Sequence, residues 1–253
     1  MLDIAIFAAL GWERRAATAG VASLEPAGDR RWSAAAGAGG CLFVPTGIGQ
    51  ERARAAAHDV PPAALFVSCG CAGALVDWLR PGDLVLASRV VPVDGEQEGE
   101  SLPADASLAS WAAKRGVRIH VGPIASSRTV LQSARAKAEA GAAGALVVEM
   151  EGAAIAREAR TRGIPFVDLR VVLDVQGQDI PALDVLDEAS GEIRRGRAAA
   201  AVAIRPWLWR AVARIGRQTR IAERSLRSVM GTILAGAPLA TIAPTPAPSA
   251  AVI

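Results

Sequence analysis

Cysteine and histidine are scarce in this 253-residue chain, and their positions exclude several kinds of site. The three cysteines, Cys41, Cys69 and Cys71, are an odd number in apolar or glycine-rich surroundings. This pattern is expected of reduced thiols in a cytoplasm and not of a disulfide framework. The two histidines, His58 and His120, lie far from any Cys or Asp/Glu pair with metal-ligand spacing. We therefore expect no metal site, no Ser/His/Asp triad and no cofactor.

Long apolar segments are also missing from the sequence. No uninterrupted run reaches the roughly 18 apolar residues that a membrane-spanning helix needs. At the N-terminus, the apolar run Ile4–Leu10 follows Asp3 and not a group of basic residues, which favours a mature first strand over a signal peptide. We expect a cytoplasmic protein.

Short apolar runs alternate with Ala/Arg/Glu-rich segments over most of the chain. The runs predict strands at Asp3–Ala9, Cys41–Pro45, Ala63–Cys69, Asp83–Val91, Arg118–Ala125, Gly144–Val148 and Ile164–Asp174. The segments between them predict helices at Trp12–Ala19, Gln50–His58, Ala106–Arg115, Ser133–Ala140 and Glu151–Arg162. This alternation predicts an α/β fold with three αβα layers around a largely parallel or mixed central sheet. Ligands in such folds bind beyond the carboxyl ends of the strands.

Positive charge is concentrated near the C-terminus. Ten arginines and a single acid, Glu223, lie between Arg194 and Arg227, which leaves 18 of the 28 basic and 24 of the 25 acidic residues elsewhere. Beyond Pro206, a spacing of three and four predicts one amphipathic helix, whose apolar stripe is Leu208, Val212, Ile215, Thr219, Ala222, Leu226, Val229 and Ile233. We expect a main domain over residues 1–200, a basic helical extension over 201–236 and a disordered tail over 237–253.

Two carboxylates follow the strand-like run at residues 144–148. Glu149, Met150 and Glu151 stand between this apolar run and a small-residue helix start. A carboxylate at a strand end can accept hydrogen bonds from the two adjacent hydroxyls of a ribose. Alternatively, both carboxylates could simply occupy a helix N-terminus, where negative charge is favourable. The spacing alone does not separate these interpretations.

Five segments resemble, in the same order, the motifs of the purine nucleoside phosphorylase and methylthioadenosine/S-adenosylhomocysteine nucleosidase family. They are Thr46–Gly49, Gly70–Ala74, Arg80–Val85, Val147–Glu151 and Leu173–Asp174. Several motifs in the family's order are much less expected by chance than any one of them. The resemblance covers roughly residues 1 to 200. It implies a nucleoside phosphorylase-like fold, a catalytic domain that cleaves the N-glycosidic bond of a purine nucleoside, and a homo-oligomer.

The resemblance also implies roles for the acidic residues. Asp174 is the general acid that donates a proton toward purine N7, which requires a partly desolvated site that keeps it protonated near neutral pH. Glu151 binds the ribose hydroxyls and Met150 packs on the sugar, while Glu149 and Gly49 lie with the substrate-binding residues. Without the other motifs, Asp174 could equally cap the segment that follows it.

Apolar and thiol side chains complete the implied substrate pocket. Val130 and Leu131 align with residues that line the base pocket, although core packing explains this pair equally well. Relatives often have a Phe where this chain has Val130, so we expect a weaker grip on the base. Cys71 stands where relatives carry a Ser near the ribose or nucleophile, and Leu173 replaces the Ser before the acid. Both departures remove a hydroxyl donor.

The loop after the first predicted strand helps to decide whether water or phosphate is the nucleophile. Glu13 matches the position at which nucleosidases of this family orient and deprotonate a water. Phosphorylases of the family use a Gly-x-Pro-x-Arg loop and a further Arg, but no Pro follows Gly11, and Ser68 lies where the second Arg would be. We favour water, with phosphate as a co-substrate if Arg14 turns inward. The competing interpretation of Glu13 is a surface residue at a helix start.

The basic helix suggests a particular substrate. One apolar stripe opposite a cationic face suits an anionic bilayer surface, here through residues 205–234, whereas packing on the enzyme or between subunits is the commoner use of such a helix. Nucleic-acid binding is not expected, because aromatic residues are not interleaved and the rest of the chain is acidic. Together with Trp12–Arg14 and Gly47–Ala53, this helix resembles the hopanoid-associated branch of the family.

The branch resemblance implies release of adenine from adenosylhopane, a lipid-linked nucleoside, to give ribosylhopane at the inner face of the membrane. Two alternatives remain. The first is a soluble methylthioadenosine/S-adenosylhomocysteine-type nucleosidase or purine nucleoside phosphorylase. The second is a nucleoside-binding protein without turnover.

Overall fold

A computed structural model describes residues 2–28, 31–36, 39–95, 98–180, 186–187, 192–193 and 206–236. The predicted domain boundary at residue 200 and the predicted disordered tail over 237–253 lie outside these residues.

The elements follow the predicted alternation of strands and helices. The strands are β1 (Leu2–Ala8), β2 (Glu25–Pro26), β3 (Trp32–Ala36), β4 (Gly39–Pro45), β5 (Ala63–Ala74), β6 (Leu84–Pro92), β7 (Leu102–Pro103), β8 (His120–Ser126), β9 (Val147–Glu149), β10 (Phe166–Asp174), β11 (Leu186–Asp187) and β12 (Glu192–Ile193). The helices are α1 (Gly11–Ala17), α2 (Gln50–His58), α3 (Ser107–Ala113), α4 (Ala134–Gly141), α5 (Gly152–Thr161) and α6 (Trp209–Gly236). The short strands β2 and β3, which form a hairpin beside β4, were not predicted.

A single mixed sheet holds β1 to β10. β10 pairs with both β5 and β6, so that β10, β6, β8, β9 and β5 close on one another, and β1, β4, β3 and β2 continue outward from β5. The pairs of β1 with β4 and β5, and of β10 with β5, are parallel, whereas β9 runs antiparallel to β5. The predicted mixed central sheet is confirmed.

Alternate residues of the strands face two separate hydrophobic cores, as the twofold repeat of a strand requires. In β1, Ala5 and Phe7 join the core that contains α2 and α5. Ile4 and Ile6 point the other way, into the core that contains α1, α3 and α6. Helices therefore cover both faces of the sheet, and the predicted three-layer arrangement is confirmed.

The long helix α6 uses its apolar stripe in two ways along its length. From Gln218 onward the stripe is buried against α1, the 3-10 turn Thr18–Gly20 and β10. The approach is close, because a Cβ on Gly20 would lie 2.8 Å from Gly231 Cα. Membrane contact through all of 205–234 is therefore not available, since Ala222, Leu226, Val229 and Ile233 pack inside the enzyme.

The first part of α6 and the turn before it are more exposed. Trp207 is 72% exposed and Trp209 is 55% exposed. Within the described residues, no helix combines the length and the apolarity that crossing a bilayer requires.

Candidate active site

Three acidic side chains that follow different strands lie at one edge of the sheet. Glu13 belongs to α1, which follows β1; Glu151 precedes α5, which follows β9; and Asp174 ends β10. Because β1 and β10 both run parallel to β5, their carboxyl ends meet beside it. All three residues are buried, with 3%, 8% and 4% of their surface exposed.

Strand β5 carries the Cys71 thiol close to these carboxyl groups: the N–H of Cys71 donates to Glu13 Oε1 at 2.7 Å, and Gly73 stands against Asp174 Oδ2. Its pKa is raised well above the usual value, first by burial and then by the charges of Glu13, Glu151 and Asp174. Charges act strongly on one thiol only at short range. The structure therefore brings the three predicted acids into one buried region beside Cys71.

Glu13 is held by backbone N–H groups on both carboxylate oxygens. Its Oε2 accepts hydrogen bonds from the N–H of Leu10 at 2.8 Å and of Ala9 at 3.2 Å, and its Oε1 accepts one from the N–H of Cys71 at 2.7 Å. Burial raises the pKa of Glu13, and these hydrogen bonds oppose the increase by favouring the carboxylate. Glu13 is thus a fixed, buried group and not a surface residue of α1.

Gly70 provides the narrow space between Glu13 and Arg170. A Cβ at this position would lie 2.9 Å from Glu13 Oε1 and 3.0 Å from Arg170 Nη1, closer than real Cβ atoms tolerate without a shift. The register of β5 and β10 places Gly70 directly opposite Arg170. A glycine here lets a carboxylate and a guanidinium approach the same strand.

Arg170 is the centre of a buried ion-pair network, which we call the Arg170 cluster (Arg170, Asp168, Glu149 and Ser68). Its Nη2 donates to Ser68 Oγ at 2.6 Å and to Glu149 Oε2 at 2.7 Å, and its Nε lies 2.7 Å from Asp168 Oδ1. The four residues are at most 4% exposed. The Nε contact is an ion pair without hydrogen-bond geometry, and within the described part of the chain neither of its two atoms has a hydrogen-bond partner.

Glu149 and Glu151 have different environments. Glu149 Oε2 accepts from the N–H groups of Glu151 at 2.8 Å and Gly152 at 2.6 Å, so Glu149 caps α5 while it pairs with Arg170. Glu151 instead reaches across the site, where its Oε1 accepts from the N–H of Gly49 at 2.8 Å. Burial, and then the charge of Glu149, raise the pKa of Glu151 to about 8. The helix-start interpretation thus describes Glu149 but not Glu151.

Asp174 pairs with a lysine that the sequence did not indicate. Lys137 Nζ contacts Asp174 Oδ2 and also donates to the carbonyl oxygens of Val175 and Gln178, at 3.2 and 2.8 Å. Burial raises the pKa of Asp174, and the charge and hydrogen bond of Lys137 oppose the increase. Gly73 leaves room for the carboxyl group, because a Cβ there would lie 3.1 Å from Asp174 Oδ2.

The other predicted substrate residues vary in exposure. Met150 is partly exposed between Glu149 and Glu151. Leu131 packs beside a small core, as the alternative interpretation of that residue proposed, and Val130 is 49% exposed. Gly49 has a φ of +95°, a conformation that favours glycine, and places its N–H toward Glu151.

A neighbouring cleft of about 470 Å³ lies between α2 and α5. It begins at Gln50, next to Gly49, but none of the three acids lines it. Its walls carry charged side chains, including Arg54, Asp94, Arg128 and Arg157. We place the chemistry at the acids and regard this cleft as adjacent to them, because the three acids are buried together with groups that can transfer protons.

Comparison with protein families decides the assignment of the fold. A model of the phosphorylase superfamily matches residues 3–205. The chain belongs to the phosphorylase superfamily. The prediction of an enzyme that breaks N-glycosidic bonds is confirmed at this level. A comparison with curated proteins gave no significant match.

Solved structures share the fold of this phosphorylase superfamily member at low identity. The 5′-methylthioadenosine/S-adenosylhomocysteine nucleosidase of Neisseria meningitidis, in complex with methylthio-immucillin-A, has a TM-score of 0.68 and 19% identity over 92% of this chain and 99% of its own. The S-adenosylhomocysteine nucleosidase of Streptococcus pyogenes has a TM-score of 0.67 and 19% identity over 92% and 97%. A futalosine hydrolase mutant of Helicobacter pylori has a TM-score of 0.63 and 18% identity over 92% and 100%. Because 92% of the chain is covered, the shared fold includes part of α6.

Proposed function

We propose that this enzyme hydrolyses the N-glycosidic bond of a purine nucleoside. The observation that carries the proposal is the position of three buried acids close to β5: Glu13 accepts a hydrogen bond from the N–H of Cys71, Asp174 lies against Gly73, and the charges of Glu13, Asp174 and Glu151 all act on the Cys71 thiol. A protein that only bound nucleosides would need a group for the sugar, but it would not need both a buried acid and a buried base on either side of it.

Each acid has one task in the proposed reaction. Asp174 gives its proton to N7 of the base, so that the bond from C1′ to the base breaks and the base leaves neutral. Glu151 accepts hydrogen bonds from the ribose hydroxyls and holds the sugar. Glu13 takes a proton from a water whose oxygen then bonds to C1′. The reaction consists of proton transfers and one displacement, and we propose that it proceeds without a cofactor.

The charge around Arg170 favours water over phosphate as nucleophile. Phosphate binding needs cations with donors to spare, whereas Arg170 is already engaged by Asp168 and Glu149. Glu13 on the other side of Gly70 adds a further negative charge. A dianion at this position would meet several carboxylates. Phosphorolysis, with phosphate as co-substrate, is the alternative outcome of the test.

The test of the reaction is base release with and without phosphate. Purified enzyme should release adenine from 5′-methylthioadenosine or adenosylhopane at a rate that phosphate does not change, and ribose 1-phosphate should not form. Asp174→Asn should lower the rate at least about 100-fold, because an amide cannot supply the proton. Binding of methylthio-immucillin-A should be largely kept. Equal activity of Asp174→Asn and the unmodified chain would contradict the mechanism.

We further propose that the substrate is adenosylhopane, presented at the inner face of the membrane. The supporting observation is the first part of α6, where Trp207 and Trp209 are exposed beside the exposed arginines 210, 214 and 217. Aromatic and cationic side chains together suit the boundary of an anionic bilayer. The charged cleft between α2 and α5 does not suit a hydrocarbon chain.

The exposed part of α6 ends close to the proposed acid. Gln218, where burial of the stripe begins, exchanges two side-chain hydrogen bonds with Gln178, at 2.8 and 3.1 Å. The carbonyl oxygen of Gln178 accepts from Lys137, which contacts Asp174. A membrane in contact with residues 207–217 would therefore lie near Asp174, which a lipid-linked nucleoside has to reach.

Two assays test this finer proposal. Adenine release from adenosylhopane should be at least as rapid as from 5′-methylthioadenosine; release from methylthioadenosine alone would reject the lipid-linked substrate. The enzyme should float with phosphatidylglycerol vesicles and not with phosphatidylcholine vesicles. The double variant W207S/W209S should lose flotation, whereas W78S, which removes a 49% exposed tryptophan elsewhere, should keep it.

Burial of the stripe beyond Gln218 favours a second candidate. A soluble methylthioadenosine/S-adenosylhomocysteine-type nucleosidase, or a purine nucleoside phosphorylase, would use α6 only to cover α1 and β10. It would show no flotation with either kind of vesicle. We propose a homo-oligomer in both cases, which sedimentation can test.

A further inference from the structure

We infer that Lys137 is a positioning residue for Asp174, and that its ammonium group holds the carboxyl toward the substrate and stabilises the carboxylate left after proton donation. This inference rests on the proposed role of Asp174 as general acid. Neither the motifs nor the fold comparison assigned Lys137 a role.

The hydrogen-bond acceptors around Lys137 match the three donors of a buried ammonium group. The side chain is 1% exposed. Its three N–H groups have three oxygen acceptors, which are Asp174 Oδ2 and the carbonyl oxygens of Val175 and Gln178. A buried cation is costly unless it is paired and fully hydrogen-bonded, and an apolar side chain of similar size would avoid that cost. Stability alone does not explain a lysine here.

The segment that carries Asp174 is tied to α4, the helix of Lys137, at a second point. Asp179 Oδ1 accepts a hydrogen bond from the N–H of Ala134 at 2.9 Å, at the first residue of α4. The N–H of Ile180 donates to the carbonyl oxygen of Gln132 at 2.8 Å. Lys137 therefore joins two segments that are already fixed to each other, and its ammonium group meets Asp174 at a defined position.

The positive charge of Lys137 can influence proton donation by Asp174. Among the described residues, Lys137 from α4 contacts Asp174, and the Cys71 thiol from β5 is close enough for the charge of Asp174 to act on it, as the charges of Glu13 and Glu151 also do. Lys137 is the cation among them that contacts the carboxyl group. When Asp174 loses its proton, a negative charge appears in a buried site, and the adjacent ammonium offsets it.

Removal of this charge should make Asp174 a weaker acid. Lys137→Met keeps the length of the side chain and removes the ammonium. We expect kcat to fall about tenfold or more, since general acid catalysis contributes 10²–10⁴-fold. KM should change less than about twofold, because Lys137 contacts Asp174 and not the sugar or base. The high-pH limb of kcat, which reports the loss of the proton from Asp174, should move to higher pH.

Controls separate this role from a merely structural one. Arg135→Ala removes an 89% exposed cation from the same helix and should leave kcat and the pH profile unchanged. In an Asp174→Asn background, Lys137→Met should cost little further activity, because Lys137 acts through Asp174. If Lys137→Met does not fold, Lys137→Arg and Lys137→Gln replace it; Arg should keep the position of the high-pH limb and Gln should move it.

The outcomes distinguish the two proposals. An unmodified chain that releases no base from adenosylhopane or 5′-methylthioadenosine contradicts the proposed function and the inference drawn from it. An active unmodified chain whose Lys137 variants keep the same kcat and the same high-pH limb contradicts the inference about Lys137 alone.

Discussion

The site contains two buried cations, and the carboxylates around them differ in number. Arg170 pairs with Asp168 and Glu149, and the charges of Glu13 and Glu151 also act on it. Among the residues that the structure describes, Lys137 pairs only with Asp174, and it completes its hydrogen bonds with neutral carbonyl groups. The side of the site around Arg170 therefore has more carboxyl groups than cations, while the side around Lys137 has one of each.

This difference matches the two kinds of chemistry that hydrolysis requires. The side that carries Glu13 and Glu151 must favour carboxylates. Glu13 has to accept a proton from water, and Glu151 has to accept hydrogen bonds from the ribose hydroxyls. The acid side must hold one proton and tolerate its loss. Around Arg170 the guanidinium is shared among several anions, whereas at Lys137 one ammonium faces one acid. The charges beside each acid thus fit the direction in which its proton is proposed to move.

The largest expected effect comes from the Arg170 cluster. Arg170→Met should leave Glu149, Asp168 and Glu13 without their common cation inside the protein. Loss of one partner of a buried pair costs about 3–5 kcal/mol, so the variant should unfold at much lower denaturant concentration and retain little activity. Chemical denaturation monitored by circular dichroism measures this cost. A variant as stable as the unmodified chain would show that the cluster does not organise the site.

A substantial part of this architecture could be predicted from sequence. Glu13, Glu151 and Asp174 each follow an apolar strand, but their proposed roles came from several motifs in the order of one family, because the local pattern alone left other interpretations open. The mixed sheet and three layers followed from the alternation of strands and helices. Trp32–Ala36 was missed as a strand because it lies in an Ala/Gly-rich stretch that lacks the usual β-branched residues.

The cations were missed for different physical reasons. Asp168 and Arg170 stand two residues apart inside an apolar strand, so they share one face, and two charges in a buried strand are a signal that could have identified them. Lys137 gave no such signal, because a lysine in an Ala/Arg/Glu-rich helix is normally exposed. The burial of Lys137 depends on where the segment after β10 crosses α4. That crossing is a tertiary feature without a local pattern.

A smaller effect should distinguish the two sides by pH. Glu151 accepts hydrogen bonds from the ribose hydroxyls as a carboxylate, and its pKa is raised to about 8. Because the carboxylate form becomes more abundant with pH, kcat/KM should rise about tenfold per pH unit below that value. Loss of the proton from Asp174 should lower kcat/KM, and burial moves this loss to a higher pH than for an ordinary aspartic acid because it raises the pKa. Glu151→Gln has no proton to lose, so its profile should lack the rising limb assigned to Glu151. A rising limb unchanged in Glu151→Gln would assign that ionisation to another group, such as Glu13.

The smallest expected effect concerns Asp168, which tests whether the cluster has more negative charge than it needs. Burial raises the pKa of Asp168 to about 7, above its ordinary value of 3.8. The folded state therefore holds this proton more tightly than the unfolded state does, and folding stability should decrease as pH rises between these two values.

Asp168→Asn removes this dependence while Glu149 still pairs with Arg170. Its stability near pH 8 should lie within about 1 kcal/mol of the unmodified chain or exceed it. Thermal unfolding of both chains from pH 5 to 8 measures the difference, which should shift in favour of Asp168→Asn as pH increases. A large loss of stability at every pH would instead show that Arg170 requires both carboxylates, and the contrast with Lys137 would then be one of geometry and not of charge balance.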